Sequence, residues 1–317
     1  MPSILVIGAV GQIGTELTME LRRRYGGKNV VASTRKTPFS KEMAESGPCE
    51  YFDVQDKAAL TAVVKKYNID TIYQLASLLS ATGEQNPDLA FNINLLGLKN
   101  SLDVARECTV KKFFWPSSIA AFGPTTPRDN TPQQTVLEPS TMYGVTKVAG
   151  ELLCQYYFKK YGLDIRSIRY PGLISYKAEP GGGTTDYAVA IFYEAIRHNR
   201  YQCFVGAKTV LPMMYMPDAI RGTIALMEAP AEKITIRTSY NFAAISFSAE
   251  ELAAEVAKLM PGFACTYVPD HRQKIADSWP KSIDDSQARR DWGWHHEYDL
   301  SKMSKDMIVN LTPLLKK

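Results

Sequence analysis

The chain is predicted to form an α/β fold: a doubly wound parallel sheet with a smaller C-terminal substrate domain. Three observations carry this. Short β-branched runs alternate with amphipathic stretches of helical length through the first half of the chain. The first run, Ser3 to Ala9, leads into a turn whose glycines, Gly8, Gly11 and Gly14, stand at intervals of three. Each loop with chemically useful side chains follows a predicted strand. In a parallel sheet with right-handed crossovers all such loops fall on the carboxyl edge, where ligands bind.

Length and composition set the outer limits. A chain of 317 residues suits one large domain or two medium ones, with enough length for a dry core. The formal net charge is +4, and no Lys/Arg run is dense enough for a nucleic-acid track. Arg22-Arg23-Arg24, Lys65-Lys66 and Lys159-Lys160 fall near predicted helix ends, where they complement the macrodipole. No apolar stretch approaches the length of a membrane span. A first strand beginning at Ser3 leaves no room for a leader peptide. The five cysteines are odd in number and scattered, which points to a reducing intracellular compartment, cytoplasm or mitochondrial matrix, and away from a disulfide framework. His295 and His296 are adjacent and cannot both face one ion from a regular element. No Cys or acidic partner stands at ligand spacing, so no metal is expected.

After the glycine turn a helix runs through Leu17, Leu21 and Tyr25. Backbone amides at its start can approach a pyrophosphate with no side chain intervening, which is the physical case for a bound dinucleotide. A second strand, Asn29 to Ser33, ends where an acidic side chain would hold the adenosine ribose hydroxyls of NAD. The chain instead reads Ser33-Thr34-Arg35-Lys36. Two readings stay open: Thr34 and backbone hold the ribose of NAD, or Arg35 or Lys36 pairs with the 2′-phosphate of NADP. Tyr51 to Val54 forms a third strand, where Asp53 either accepts from the adenine amino group or is simply solvated.

Next come helix Lys57 to Tyr67, strand Thr71 to Leu75 with the loop Ala76 to Ser80, and a long helix from Asp88 to Glu107. Strand Lys112 to Pro116, helix Met142 to Tyr161 and strand Asp164 to Tyr170 follow, the last ending in Pro171-Gly172. Beyond it the alternation lapses. A glycine-rich loop, Ala178 to Tyr187, opens an apolar helix to His198, and strands rich in Pro and Met lead to Asp218 and a helix to Glu228. Strand Ser239 to Ala243, helix Ala249 to Leu259 and a polar C-terminal segment with Trp279, Trp292 and Trp294 complete the chain. This organisation predicts a dinucleotide-binding domain, residues 1–172 with a segment at about 205–245 partly returning to it, and a substrate-binding domain, residues 173–317.

The densest chemistry lies between Pro116 and Lys147. Ser117 and Ser118 directly follow the apolar run Phe113-Phe114-Trp115. If a helix starts near Thr141, Tyr143 and Lys147 share one face about a turn apart. A hydroxyl at a strand end, a phenol and a cation form a proton-transfer device. Lowering a phenol by about three pKa units takes roughly 4 kcal/mol of differential interaction, which Lys147 and a cationic cofactor are expected to provide. The plainer alternative is a partly buried Tyr and a surface Lys at the start of an ordinary helix.

With these residues in hand, the chain resembles the extended short-chain dehydrogenase/reductases, which share a Rossmann fold, from Ile4 to about Trp294. Within that superfamily it is most similar to the UDP-galactose-epimerase-type L-threonine 3-dehydrogenases. The similarity rests on Leu75-Ala76-Ser77-Leu78-Leu79-Ser80, on Pro116 to Pro124, and on Tyr170-Pro171-Gly172-Leu173-Ile174-Ser175 followed by Pro180 to Tyr187. The missing acid after the second strand is the departure from the pattern.

The resemblance implies that Tyr143 takes the proton of the threonine β-hydroxyl, Ser118 hydrogen-bonds that oxygen, and Lys147 holds the nicotinamide ribose and lowers the phenol's pKa. The hydride then passes to NAD, giving 2-amino-3-ketobutyrate. It implies cofactor contacts from Gly8, Gly11, Gln12, Ile13 and Gly14, and from Thr34, Arg35, Asp53 and Val54. Leu75, Ala76, Ser77 and Asn94 would join them, with Pro116, Tyr143, Lys147 and the Tyr170-Pro171-Gly172-Leu173 corner. L-Threonine is expected against Ser80, Ser118, Tyr143, Gly182, Thr184 and Thr185, the Gly-Gly-Gly-Thr-Thr turn either meeting its carboxylate or serving as a lid. Members of this type commonly pair as homodimers through two long helices, here Asp88 to Glu107 and Met142 to Tyr161, and the resemblance implies such a dimer.

Two rivals remain. A UDP-sugar 4-epimerase or related sugar-nucleotide enzyme on the same fold would need a groove for a uracil and two phosphates, and no basic and aromatic set for one is evident in the C-terminal half. A non-catalytic dinucleotide sensor would keep the glycine turn, but it has no need for Ser118, Tyr143 and Lys147 together.

Overall fold

Strands without polar alternation must be covered on both faces, and the first strands of this chain are of that kind. In the computed structural model, which describes residues Met1 to Lys316, β1 (Ile4–Ile7) and β2 (Val30–Thr34) bury every side chain. The other strands are β3 (Cys49–Tyr51), β4 (Thr71–Gln74), β5 (Lys112–Ser118), β6 (Asp164–Tyr170), β7 (Gly172–Ile174), β8 (Arg200–Cys203), β9 (Val210–Tyr215), β10 (Tyr240–Asn241), β11 (Ile245–Ser248) and β12 (Ala264–Tyr267). A seven-stranded sheet runs in the order β10-β6-β5-β4-β1-β2-β3. The pairs β1/β2, β1/β4, β2/β3 and β4/β5 are parallel. The order reverses at β1, the topological switch point of a doubly wound sheet.

The chain divides into two compact units. The first comprises Met1–Ala121, Thr141–Arg169 and Ile220–Tyr240. Its helices are α1 (Gln12–Tyr25), α2 (Lys41–Ser46), α3 (Lys57–Lys66), α4 (Ser80–Gln85), α5 (Pro87–Phe91), α6 (Gly97–Glu107) and α7 (Met142–Tyr161). One apolar core lies between the sheet and α3, α6 and α7, built from residues such as Leu5, Ile72, Leu98, Leu102, Phe113 and Trp115. Helix α7 starts where Thr141 caps it, its hydroxyl accepting from the Gly144 amide, and it stops at Gly162 in the left-handed region. Gly150 lets α7 lie directly on β5: a Cβ there would stand 2.4 Å from the Trp115 ring.

One expectation needs correction in this unit. The helix expected from Asp88 to Glu107 is not uniform, because a π-helical turn, Asn92–Leu96, separates α5 from α6. The basic trio Arg22-Arg23-Arg24 lies in the last turn of α1, as expected, but its members have different surroundings. Arg23 and Arg24 pair with Glu20, but Arg22 is buried and donates to the carbonyls of Val30, Met43 and Pro48 and to the Ser46 hydroxyl. It ties α1 to the α2 loop, a demand that sequence position alone does not reveal.

The second unit comprises Phe122–Ser140, Tyr170–Ala219 and Asn241–Lys317 by chain position. It holds a three-stranded sheet, β11-β9-β7, and a two-stranded parallel pair, β12-β8. Its helices are α8 (Tyr187–His198), α10 (Ala249–Leu259), α11 (Arg272–Asp277), α12 (Ser286–Trp292) and α13 (Leu300–Leu315), while α9 (Met216–Glu228) divides between the two units. The division differs from the expected one. Residues 122–140 fall in the second unit, and the returning segment is Ile220–Tyr240, because β9 pairs with β7 and β11 and not with the main sheet. The polar C-terminal segment is largely helical: α13 buries Met303, Met307 and Leu311 at a spacing of four.

Candidate active site

The glycine turn builds the first part of the site. Gly8 has φ +85°, and a Cβ there would stand 2.8 Å from the Ala76 amide nitrogen, so the turn and the loop after β4 meet closely enough to exclude a side chain. The Gly8 and Ala9 amides donate to the Ser33 carbonyl at 3.0 and 2.9 Å, which locks the turn against the end of β2. Gly11 caps α1 without a side chain, and the first turn of that helix contains no acidic residue. A helix N-terminus of this kind favours an anion. The residues present therefore fit the pyrophosphate of a dinucleotide, with Gln12, Ile13 and Gly14 forming the first turn. Thr34 is buried at the end of β2, Val54 is buried against Gly97, and exposed Arg35 forms an ion pair of 3.7 Å with Asp53.

The loop after β4 is held from behind. Asn94, on the π-helical turn, accepts from the Leu78 amide at 2.7 Å and the Ser77 hydroxyl at 3.1 Å. It donates to the Leu78 carbonyl at 3.1 Å and the Thr146 hydroxyl at 3.3 Å. Both lone pairs and both N–H groups of the amide are thus used within the protein. Asn94 positions Leu75 to Ser80 and α7. Single π-turns are rare within helices and recur at functional sites. Ser80 lies buried at the first position of α4.

Ser118, Tyr143 and Lys147 come together in the first unit. Ser118 ends β5 and Tyr143 sits in the first turn of α7, their side chains close enough for the Ser118 hydroxyl to act on the phenol. Tyr143 keeps some exposure as a residue, yet its hydroxyl is closely surrounded by protein, and that burial pushes the phenol up to about 12 against the lowering effect of Ser118. Lys147 is 2 % exposed and donates to the Pro116 carbonyl at 2.6 Å, with its ammonium 4.7 Å from the Trp115 ring centre and 5.1 Å from that of Tyr143. Burial pulls it down to about 7, against the opposing pull of Glu151. The expectation that Lys147 lowers the phenol is therefore not met by the protein's own groups. Its ammonium faces ring and carbonyl, and desolvation acts on both members of the pair.

The remaining predicted residues belong to the second unit. Tyr170, Pro171 and Gly172 are buried and Leu173 is partly so. Gly182 has φ +90°, Thr184 is 3 % exposed, and Thr185 packs against Gly172. The Gly183 amide donates to Asp186 at 2.8 Å, so that amide is committed within its own loop. Two buried groups escaped the sequence reading, Glu151 and Arg169. The repeated spacing of four from Tyr143 through Lys147 to Glu151 was the available signal.

Comparison with known proteins adds to this geometry. Residues 4–243 match the profile of the NAD dependent epimerase/dehydratase family. The chain belongs to that family. NAD is its cofactor, and the chemistry is that of an NAD-dependent enzyme. An uncharacterized epimerase/dehydratase of Staphylococcus haemolyticus is 50% identical over 97% of this chain and 97% of its own length. The solved L-threonine dehydrogenase of Clostridium difficile is 51% identical with a TM-score of 0.97, covering 99% of each chain. A monomeric L-threonine 3-dehydrogenase from a metagenome is 48% identical with a TM-score of 0.94, covering 98% of this chain and 99% of its own. No helix among the described residues is long and apolar enough to cross a membrane.

Proposed function

We propose that this enzyme is an L-threonine 3-dehydrogenase, oxidising the threonine β-hydroxyl to give 2-amino-3-ketobutyrate. The observation that most supports this is the placing of Tyr143 beside Ser118 at a strand end, with Lys147 behind them, in a chain half identical over its full length to solved threonine dehydrogenases. Ser118 and Tyr143 together grip one alcohol oxygen, Ser118 orienting it and Tyr143 accepting its proton. Bound NAD supplies the hydride acceptor and a positive charge that favours the phenolate. Lys147 keeps the phenol's ring in place and holds the ribose. Gly8 to Gly14 hold the pyrophosphate, Asp53 the adenine amino group, and Thr34 the ribose beyond it. Ser80 and the Gly182, Thr184 and Thr185 loop receive the amino acid's polar groups.

Initial rates with L-threonine against NAD and NADP, followed by absorbance of the reduced cofactor, test the reading. UDP-galactose in the same assay separates a 4-epimerase, which reduces no cofactor on balance. Tyr143→Phe is expected to lower kcat by about 10³-fold while NAD still binds, and Thr185→Ala to raise the threonine KM. Substantial turnover by Tyr143→Phe would remove the proposed base.

We also propose a homodimer paired through α5–α6 and α7, in a reducing intracellular compartment. The five cysteines are all unpaired. Val145, Leu152 and Tyr156 are exposed on α7 at spacings of seven and four, one face of the helix, with Leu152 58% and Tyr156 48% exposed.

A further inference from the structure

Glu151 lies one turn beyond Lys147 on α7 and is 1% exposed. A buried carboxylate stays charged only when paired and hydrogen-bonded. Arg169 of β6, itself buried, donates Nε–H to Glu151 Oε1 at 2.9 Å and Nη2–H to Oε2 at 2.7 Å, a bidentate fork. The Ser117 hydroxyl of β5 donates to Oε1 at 2.6 Å. Ser117 stands between Pro116, whose carbonyl receives the Lys147 ammonium, and Ser118, whose hydroxyl acts on the Tyr143 phenol. One carboxylate therefore ties α7, β5 and β6 together at the level of the Tyr143–Lys147 pair. A buried ion pair contributes little net stability compared with apolar residues of the same volume, so stability alone does not account for this one.

We propose that Glu151 is a positioning residue of the site: its carboxylate is the buried countercharge for Lys147 and, through Ser117, it holds the strand end that carries Pro116 and Ser118. The other groups facing Lys147 support that assignment. From its own helix come the Tyr143 ring and the Cys154 thiol, which burial pushes up and keeps neutral. From β5 come the Trp115 ring and the Pro116 carbonyl. The nearby acids on packed helices are engaged elsewhere: Asp103 of α6 accepts from the Tyr157 hydroxyl, and Glu84 of α4 accepts from the Met142 amide. From β6 comes Arg169, a second cation.

The inference rests on the dehydrogenase reading of Tyr143 and Lys147, so one arm of its test uses no substrate. NAD affinity is measured by fluorescence titration from about pH 6 to pH 9. In Glu151→Gln, Lys147 releases its proton at lower pH, and the alkaline fall in NAD affinity is expected about one pH unit lower than in the parent. The kcat/KM profile should move alike, and the charge-retaining Glu151→Asp should move both back. Ser117→Ala keeps the ion pair and is expected to lower kcat about tenfold without moving the alkaline limb. An unmoved limb in a folded Glu151→Gln protein overturns the proposal. If that variant does not fold, parental kcat in Ser117→Ala overturns it instead. A shifted NAD limb with no threonine oxidation would discard the substrate and leave the role of Glu151 standing.

Discussion

Lys147 shows how far a side chain's chemistry depends on where the fold puts it. Its folded value near 7 lies below its ordinary 10.5. Between those two values the unfolded chain binds the proton more readily, so folding stability rises with pH across that window. Below about pH 7 the cost of the buried ammonium is fully present. Calorimetry on the protein without NAD should show the melting temperature climbing from about pH 7 to pH 9, and Lys147→Met should lose that climb. A flat profile in the parent would mean the ammonium is not held as the structure places it. The Arg35–Asp53 pair raises a second question at this scale, because Arg35 would otherwise be available to a 2′-phosphate. Asp53→Asn is expected to raise the NADP-to-NAD ratio of kcat/KM by about tenfold. An unchanged ratio would assign Arg35 to solvent.

At the scale of the element, α7 carries the site because it can lie close to β5. Gly150 is the reason: the Trp115 ring fills the space a methyl group would need. Gly150→Ala is expected to destabilise the protein by about 1–3 kcal/mol through overpacking. It should also lower kcat, since Tyr143 and Lys147 ride on the same helix. Denaturation with matched kinetics checks both, and parental stability would show that α7 has slack. The ends of this helix were legible in the sequence, because Thr141 and Gly162 are strong local punctuation. Helix α13 was not read, although Asp299 caps it and Met303, Met307 and Leu311 mark its buried face. The charged residues between them masked the period. The π-turn at Asn92–Leu96 has no local signature, since its purpose is a contact with Leu78, distant in sequence.

For the whole molecule, the outstanding question is whether it pairs. One relative of similar identity is described as monomeric, so the answer depends on this chain's own exposed apolar face on α7. Sedimentation at micromolar concentration should give twice the 35.4 kDa chain mass, and Leu152→Glu should return it to one. A monomeric parent would reject the dimer. The division into units was only partly readable. Residues 122–140 carry no composition shift that assigns them to the second unit, and β9 was expected near the main sheet because a strand's partners lie elsewhere in the chain.

Local physics determined the strand–turn–helix order, the glycine turn and the one-face spacing of Tyr143 and Lys147. Each is set by neighbours within a few residues: period, cap and backbone freedom. What the tertiary structure decided was the electrical state of the pair and the company it keeps. Burial of Lys147, its bond to Pro116, the Glu151–Arg169 fork and the four-fold engagement of Asn94 join residues 16 to 52 positions apart. Desolvation and long-range hydrogen bonds exist only once the chain has closed on itself, and so no stretch of sequence carries them alone.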